Sequence, residues 1–469
     1  MSSASTPVTT PKDPPASVRS GSLLDVAALA AGCALLFLIT FIPTAYTRFV
    51  SVVLAVCLLL VVARWIRDRR IAIDGTVAAL ALLYVLLGAA FVGWGLIRHN
   101  PGATSEAPVF VVWPVVYLIL ITGIDDDAAF VWLNRTLVIA AIAIGLYALD
   151  FIAVNLNWLP QRMFVDLQQD ARFGLFHRTY LQFNLNSLAS LMFLSPYLIA
   201  RLADLRSIRS RLDQVLVIAG AVLSVAMTVL ALRRALFIVT FGVAPVLIAA
   251  YALLLRRDYW RRYTVTLVVV GAGTIVLLAG ATVTGHFHPR DYFNVVVSGV
   301  DLSGPQAGPK VRSDQLAALT SGWLHSPLIG NGLGAVASVI RSPAQPWAYE
   351  LSYNALLFKI GIIGVLLYAV GVGWIFWQGV RLVRSSPLSS SAWPVLAGAV
   401  GFLVANATNP YLQKFDYLWV LFIPLAYVNY WRLESSRHPT RWDRYLKAVL
   451  SRFGMRQGLG ESRSLAGRE

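Results

Sequence analysis

Cysteine is almost missing from this chain: Cys33 and Cys57 are the only two in 469 residues, and both fall inside apolar runs. That argues against a disulfide framework and against a thiolate metal site. Charge is scarce as well, at 13%, and lopsided, with 23 acidic residues against 39 basic ones. With so little charge, 57% hydrophobic residues and a mean hydropathy of +0.67, the chain lies outside the range of soluble globular proteins and reads as an integral membrane protein. A net charge of +16 would suit nucleic acid, but the positive residues sit in short clusters between apolar runs. Membrane insertion produces that arrangement, so no nucleic acid is expected as a partner. Histidine is rare too: His286 and His288 resemble a metal pair but have no third ligand nearby, so neither metal nor any other cofactor is expected. No internal repeat is visible, of the kind that marks the inverted halves of many transporters.

What the chain has in abundance is long apolar runs. A bilayer-crossing helix takes about 20 residues, and twelve stretches qualify: 24–43, 49–65, 76–97, 108–124, 137–154, 184–202, 213–232, 235–255, 263–284, 351–381, 392–407 and 415–432. The expected fold is all-α, a polytopic membrane bundle over 23–434 with about twelve transmembrane helices. A long extracytoplasmic loop, 285–350, separates the ninth from the tenth. Residues 1–22, rich in Pro, Ser and Thr and without a small-residue cleavage site, read as a disordered cytoplasmic tail rather than a signal peptide. Residues 435–469 read as a basic cytoplasmic tail. In it Trp442, Tyr445, Leu446, Val449, Leu450 and Phe453 recur at helical spacing, as in an amphipathic helix on the inner surface.

Charge sets the orientation. Arg64, Arg67, Arg69 and Arg70, then Arg201, Arg206, Arg209 and Arg211, then Arg256, Arg257, Arg261 and Arg262, then Arg381 and Arg384 fall on alternate ends, with the basic C-terminal tail. By the positive-inside rule that side is the cytoplasm and both termini are inside. Asp125, Asp126 and Asp127 fall on the same side and read as a solvated face. The outer side then holds 44–48, 98–107, 155–183, the tight Arg233–Arg234 turn, 285–350 and 408–414. Against the bias it still carries Arg162, Arg172, Arg178, Arg233, Arg234, Arg312, Arg341 and Lys414. Cations placed where insertion disfavours them point to an anionic ligand at the outer leaflet.

The individual residues refine this. In 155–183, Trp158, Phe164, Phe173, Phe176 and Tyr180 suit an interfacial anchor at the headgroups, while Arg172 and Arg178 are either part of that anchor or ligand contacts. Arg233 and Arg234 lie between two apolar runs, where a guanidinium either snorkels to headgroups or grips phosphate oxygens with its planar fork. Arg312 opens the segment leading to Pro327-Leu328-Ile329-Gly330-Asn331-Gly332-Leu333-Gly334. Its alternating glycines permit a tight turn and the close approach of amide donors to a bound group. Glu350, directly before an apolar helix, is either a stabiliser of the helix N-terminus or a general base. Lys359, in the first turns of that helix, is expected to face the bundle interior. No Asp-x-Asp pattern occurs on the outer side, so a divalent ion holding a diphosphate is not expected there.

Several of these pieces, in order, resemble the O-antigen ligase and polymerase family, bacterial multi-pass enzymes that move glycans carried on undecaprenyl diphosphate. They are Gly174-Leu175-Phe176, Asn186-Ser187-Leu188-Ala189, Arg233-Arg234-Ala235-Leu236 where family members often show Ser-Arg-Gly-Ala, Arg312, the 327–334 turn, and Gly361-Ile362-Ile363-Gly364. Together they cover roughly half the chain. The resemblance implies an enzyme of the bacterial cytoplasmic membrane in which an acceptor sugar hydroxyl attacks the anomeric carbon of a glycan on undecaprenyl diphosphate. Arg234 and Arg312 would then hold the diphosphate, with Arg233 and Arg178 in support and Arg172, Arg341 and Lys414 as further substrate contacts. Ligases of the family usually carry His-Asn eleven residues before the first glycine of the Gly-Ile-Ile-Gly segment, and here Glu350-Leu351 stands at that spacing. Glu350 becomes the candidate base, and a polysaccharide polymerase is favoured over a ligase acting on lipid A core. The implied partners are the lipid-linked oligosaccharide, an acceptor glycan, the bilayer and other polysaccharide assembly proteins. A flippase for the same lipid-linked sugars, and a scaffold without chemistry, are the rival classes.

Overall fold

The computed structural model describes residues 22–161, 163–164, 174–177, 180–183, 185–254, 260–283 and 307–437. The tails, the histidine pair, Arg162, Arg172 and Arg178 lie outside the described residues, as does the expected amphipathic helix in the C-terminal tail.

All twelve apolar stretches are helical. In chain order they are α1 Leu23–Phe41, α2 Thr47–Asp68, α3 Gly75–Ile97, α4 Ala103–Ile121, α5 Asp127–Asn155, α6 Leu191–Ala203, α7 Arg211–Ala231, α8 Arg234–Leu254, α9 Trp260–Val283, then α11 Ser352–Ser385, α12 Ser389–Asn406 and α13 Phe415–Arg437. Between α9 and α11 stands α10, Ala307–Leu324, inside the segment expected to be loop. Eight of these, α1 to α5, α7, α8 and α11, are long and apolar enough to cross a membrane. The starts follow ordinary capping chemistry. Ser22 and Asp25 form a capping box on α1, Asp74 accepts from the Thr76 and Val77 amides, and Asp126 accepts from the Ala129 amide. α4 and α8 each contain a π-helical turn, Pro108–Val112 and Ile238–Val243. The all-α expectation has one exception, an antiparallel hairpin of β1, Gly174–His177, and β2, Tyr180–Phe183, with Gly174 opposite Phe183.

At the centre is α6. It is apolar all round, and every residue from Leu191 to Ala200 is buried, the pattern of a helix enclosed by others rather than facing lipid. It packs against α5, α7 and α12. Gly401 of α12 brings that helix so close that a Cβ there would lie 2.6 Å from Pro196 and 3.0 Å from the Met192 carbonyl, the small-residue contact by which membrane helices gain van der Waals energy. A polar knot ties α5, α6 and α13: Tyr197 donates to Asn134 at 2.8 Å, and Asn134 donates to the Tyr427 hydroxyl at 2.7 Å. Outward-facing Val52, Val56, Leu59, Leu82, Leu86, Leu366 and Val370 are exposed. A belt of exposed aliphatics of this kind suits a lipid solvent.

The two ends of the bundle differ. At one end Asp25 pairs with Arg64 and Arg67, Asp125 with Arg64 and Arg70, Arg135 with Asp213, and Arg432 with Asp74. Both described chain ends lie here. Of the three aspartates read as a solvated face, Asp126 and Asp127 are exposed, while Asp125 is half-buried and is an ion-pair partner of α2.

Candidate functional site

At the opposite end lie Arg233, Arg234, Arg312, Arg341 and Lys414, the unusual cations that fall among the described residues. Two helices and a clasp build its floor. α10 lays Leu319 and the partly buried Ala318 and Trp323 against Tyr349, Ala355 and Phe358, the start of α11. α11 breaks at Gly361, whose φ is +63°. The break leaves the Phe358 and Lys359 carbonyls and the Ile362 and Ile363 amides without helical partners, and the 327–332 segment supplies all four. Asn331 N–H donates to Phe358 O at 3.0 Å and Gly332 N–H to Lys359 O at 2.8 Å, while Ile362 and Ile363 donate to the Pro327 and Leu328 carbonyls at 2.9 and 3.1 Å. A broken helix at membrane depth requires such partners.

This corrects the sequence reading of the glycine-rich turn. Its amides do not point at a ligand site. Leu333 N–H goes to Phe91 O at 3.2 Å, and Gly334 N–H to Glu106 Oε2 at 2.6 Å. Asn100 donates its side-chain amide to the Asn331 and Leu333 carbonyls. Glycine is needed for approach: at Gly332, with φ +87°, a Cβ would lie 2.7 Å from the Gly95 Cα. The turn is a clasp between α3, α4 and the break in α11.

Lys359 faces the interior as expected, and its partner is Glu106, which sequence reasoning missed. Their side chains are 1% and 6% exposed. Tyr349 covers the ammonium at 5.9 Å from its ring centroid, and its own hydroxyl accepts from the Ala337 amide at 2.5 Å.

Above this floor lie the predicted residues. Arg312, on the early turns of α10, donates Nε to Glu350 Oε2 at 2.5 Å, and Arg341 Nη2 lies 3.1 Å from Glu350 Oε1. Glu350 thus spends its charge on two guanidiniums rather than on capping α11, whose N-cap Leu351 has no side-chain hydrogen bond. Lys414 is at the surface nearby: desolvation by the surrounding protein holds its ammonium below the usual lysine range, Asp416 pulls it back up, and Arg341 pushes it down. Asp416 itself accepts from the Thr44 amide at 2.8 Å. Lys414 N–H donates to the Tyr411 carbonyl at 3.0 Å. The Tyr411 hydroxyl accepts from Arg233 at 3.3 Å, and Arg233 also reaches the Leu185 carbonyl at 3.4 Å.

Ion pairs therefore join Arg312 and Arg341 to Glu350, Arg341 acts on Lys414 through space, and Arg233 rests on Tyr411, three residues before Lys414, all at this end of the bundle. The side chain of Arg234, half-buried at the first position of α8, makes no ion pair or hydrogen bond among the described residues. The chain was compared with models of known protein families and with curated proteins. It matches none.

Two further polar groups stand close to these residues in the chain. Gln315, one turn along α10 from Arg312, is fully buried, and neither atom of its amide has a partner among the described residues; the same holds for the Ser352 hydroxyl, two residues from Glu350. A well-formed cleft lies elsewhere among the described residues. It is an apolar groove of about 730 Å³, open mouth included, lined by residues such as Cys33, Cys57, Tyr117 and Trp419, and no charged residue borders it. With no cation to meet an anionic ligand, it is the weaker candidate beside the arginine cluster. Among the described residues no three His, Cys, Asp or Glu side chains gather as a metal would need.

Proposed function

We propose that this chain is a polysaccharide polymerase of a bacterial cytoplasmic membrane, crossing it twelve times with both termini in the cytoplasm and the arginine mouth outside. It transfers a glycan from undecaprenyl diphosphate onto a sugar hydroxyl of an acceptor repeat unit, in O-antigen, capsule or exopolysaccharide synthesis. The observation that carries this reading is the pair of guanidiniums, Arg312 and Arg341, on Glu350, with Lys414 in electrostatic reach of Arg341 and Arg233 on Tyr411, at one end of an apolar bundle.

The chemistry follows from charge. As the acceptor oxygen bonds to the anomeric carbon, the carbon–oxygen bond to the diphosphate breaks and its electron pair leaves with the phosphate. Negative charge grows on the diphosphate during that step, and guanidiniums already in position stabilise the transition state more than the ground state. The hydroxyl proton goes to Glu350 as base. Arg234, free of ion pairs among the described residues, is available to the same diphosphate.

Purified protein in liposomes with lipid-linked repeat units tests the reading. Chain growth is expected. Movement of the lipid across the bilayer without growth would make the protein a flippase, and neither would leave a scaffold. Transfer to added lipid A core in preference to repeat units would make it a ligase.

A further inference from the structure

Glu350 occupies the position that an anionic ligand would take. Two guanidiniums, from α10 and from the loop before α11, each hold one oxygen of the same carboxylate, at 2.5 Å for Arg312 and 3.1 Å for Arg341. The same forks fit phosphate oxygens. The contact is also of the exchangeable kind. The Arg341 and Arg312 side chains are 49% and 34% exposed, so solvent screens their hold on Glu350. The structural ion pair of this region looks different: Lys359 and Glu106 are shut from solvent, and the Gly334 amide fixes the carboxylate from a third side. Three residues after Arg312 and two after Glu350, the Gln315 amide and the Ser352 hydroxyl lie buried without partners among the described residues. A site complete in its resting state would not leave those groups unsatisfied.

We propose that Glu350 is a built-in counter-ion that the donor's diphosphate displaces from Arg312 and Arg341, so that the carboxylate is free to take the acceptor's proton only once a donor is bound. The proposal rests on the reading of the mouth as a lipid diphosphate site. In the exchange the guanidiniums pass from one anion to another, and no new charge is buried. Afterwards the transfer runs as above: the acceptor oxygen bonds to the anomeric carbon, the diphosphate leaves with the electron pair, and the hydroxyl proton moves to the released Glu350. Without a donor the base stays tied up in its two ion pairs.

The test uses inorganic pyrophosphate and the full chain in nanodiscs, with calorimetry as the readout. Glu350→Gln keeps the shape and removes the competing charge, so it should bind pyrophosphate at least about fivefold tighter than the native protein. Native binding without tightening in Glu350→Gln overturns the counter-ion role and leaves the mouth reading standing. No binding to either protein overturns the mouth reading itself. Should Glu350→Gln fail to fold, a cryo-EM map of the native protein at saturating pyrophosphate decides. Arg312 and Arg341 on the pyrophosphate, with Glu350 swung away, is the expected result; Glu350 still paired with both arginines overturns the proposal, as does a map with no pyrophosphate at the mouth.

Discussion

Replacing Lys359 by methionine should destabilise the fold by about 3–5 kcal/mol, the usual cost of breaking one side of a buried ion pair. The structure shows why the upper range applies. Lys359 and Glu106 are 1% and 6% exposed, and Glu106 gives its other oxygen to the Gly334 amide at 2.6 Å. Methionine nearly fills the space of the lysine stem, so little packing is lost. What remains is a carboxylate in an apolar setting with no counter-charge. Glu106→Gln should cost a similar amount, because it strands the ammonium instead. The double variant Lys359→Met/Glu106→Gln strands no charge, and the Gln carbonyl still accepts from Gly334. It should therefore fall within about 1 kcal/mol of the native protein. Reversible unfolding of the purified chain in mixed micelles, followed by tryptophan fluorescence, gives the double-mutant cycle. The reasoning is refuted if each single change costs less than about 1 kcal/mol, or if the double change costs the sum of the two.

Arg312→Lys keeps a positive charge and loses the planar fork, so chain growth in liposomes should fall roughly tenfold or more with insertion unchanged; native turnover would exclude bidentate contact with the diphosphate. Gly332→Ala and Gly361→Ala should each impair folding, since both positions have positive φ and a Cβ would run into backbone, whereas Gly93→Ala, with nothing within 4 Å of its added methyl, should be silent in the same thermal-shift assay. Gln315→Leu removes a buried amide without partners among the described residues and should leave stability equal or higher. If that amide meets the sugar, KM for the lipid-linked repeat unit rises all the same; an unchanged KM would make Gln315 a bystander.

Most of the fold was legible because lipid demands so much of a sequence. A run of about 20 apolar residues is its own signal, and each of the twelve runs became a helix. α10 was hidden because it needs no such run. It sends a few residues, among them Ala318, Leu319 and Trp323, toward the start of α11, and polar residues interrupt the rest. The cations of the mouth were legible as violations of the insertion bias. Their grouping was not, because it depends on how the loops at 341–350 and 408–414 meet. Glu106 was overlooked as one residue of a short outer loop, although a lysine among apolar residues at 359 calls for a buried partner. The glycine-rich turn misled for a different reason. Positive-φ glycines serve a ligand cradle and a backbone clasp equally well, and only the direction of the amides separates the two. Asp125 looked solvated because nothing local marks Arg64 and Arg70 as its neighbours.

The central claim is that the cations of the mouth hold a pyrophosphoryl lipid. It is tested most directly by the affinity of undecaprenyl diphosphate for the protein in nanodiscs, measured by native mass spectrometry on two charge-neutralised variants. Arg233→Gln/Arg312→Gln/Arg341→Gln should abolish binding, while Arg206→Gln/Arg209→Gln, which removes exposed positive charge at the opposite end of the bundle, should leave it at the native level. Equal losses in the two variants, or a loss only in the second, would contradict the account.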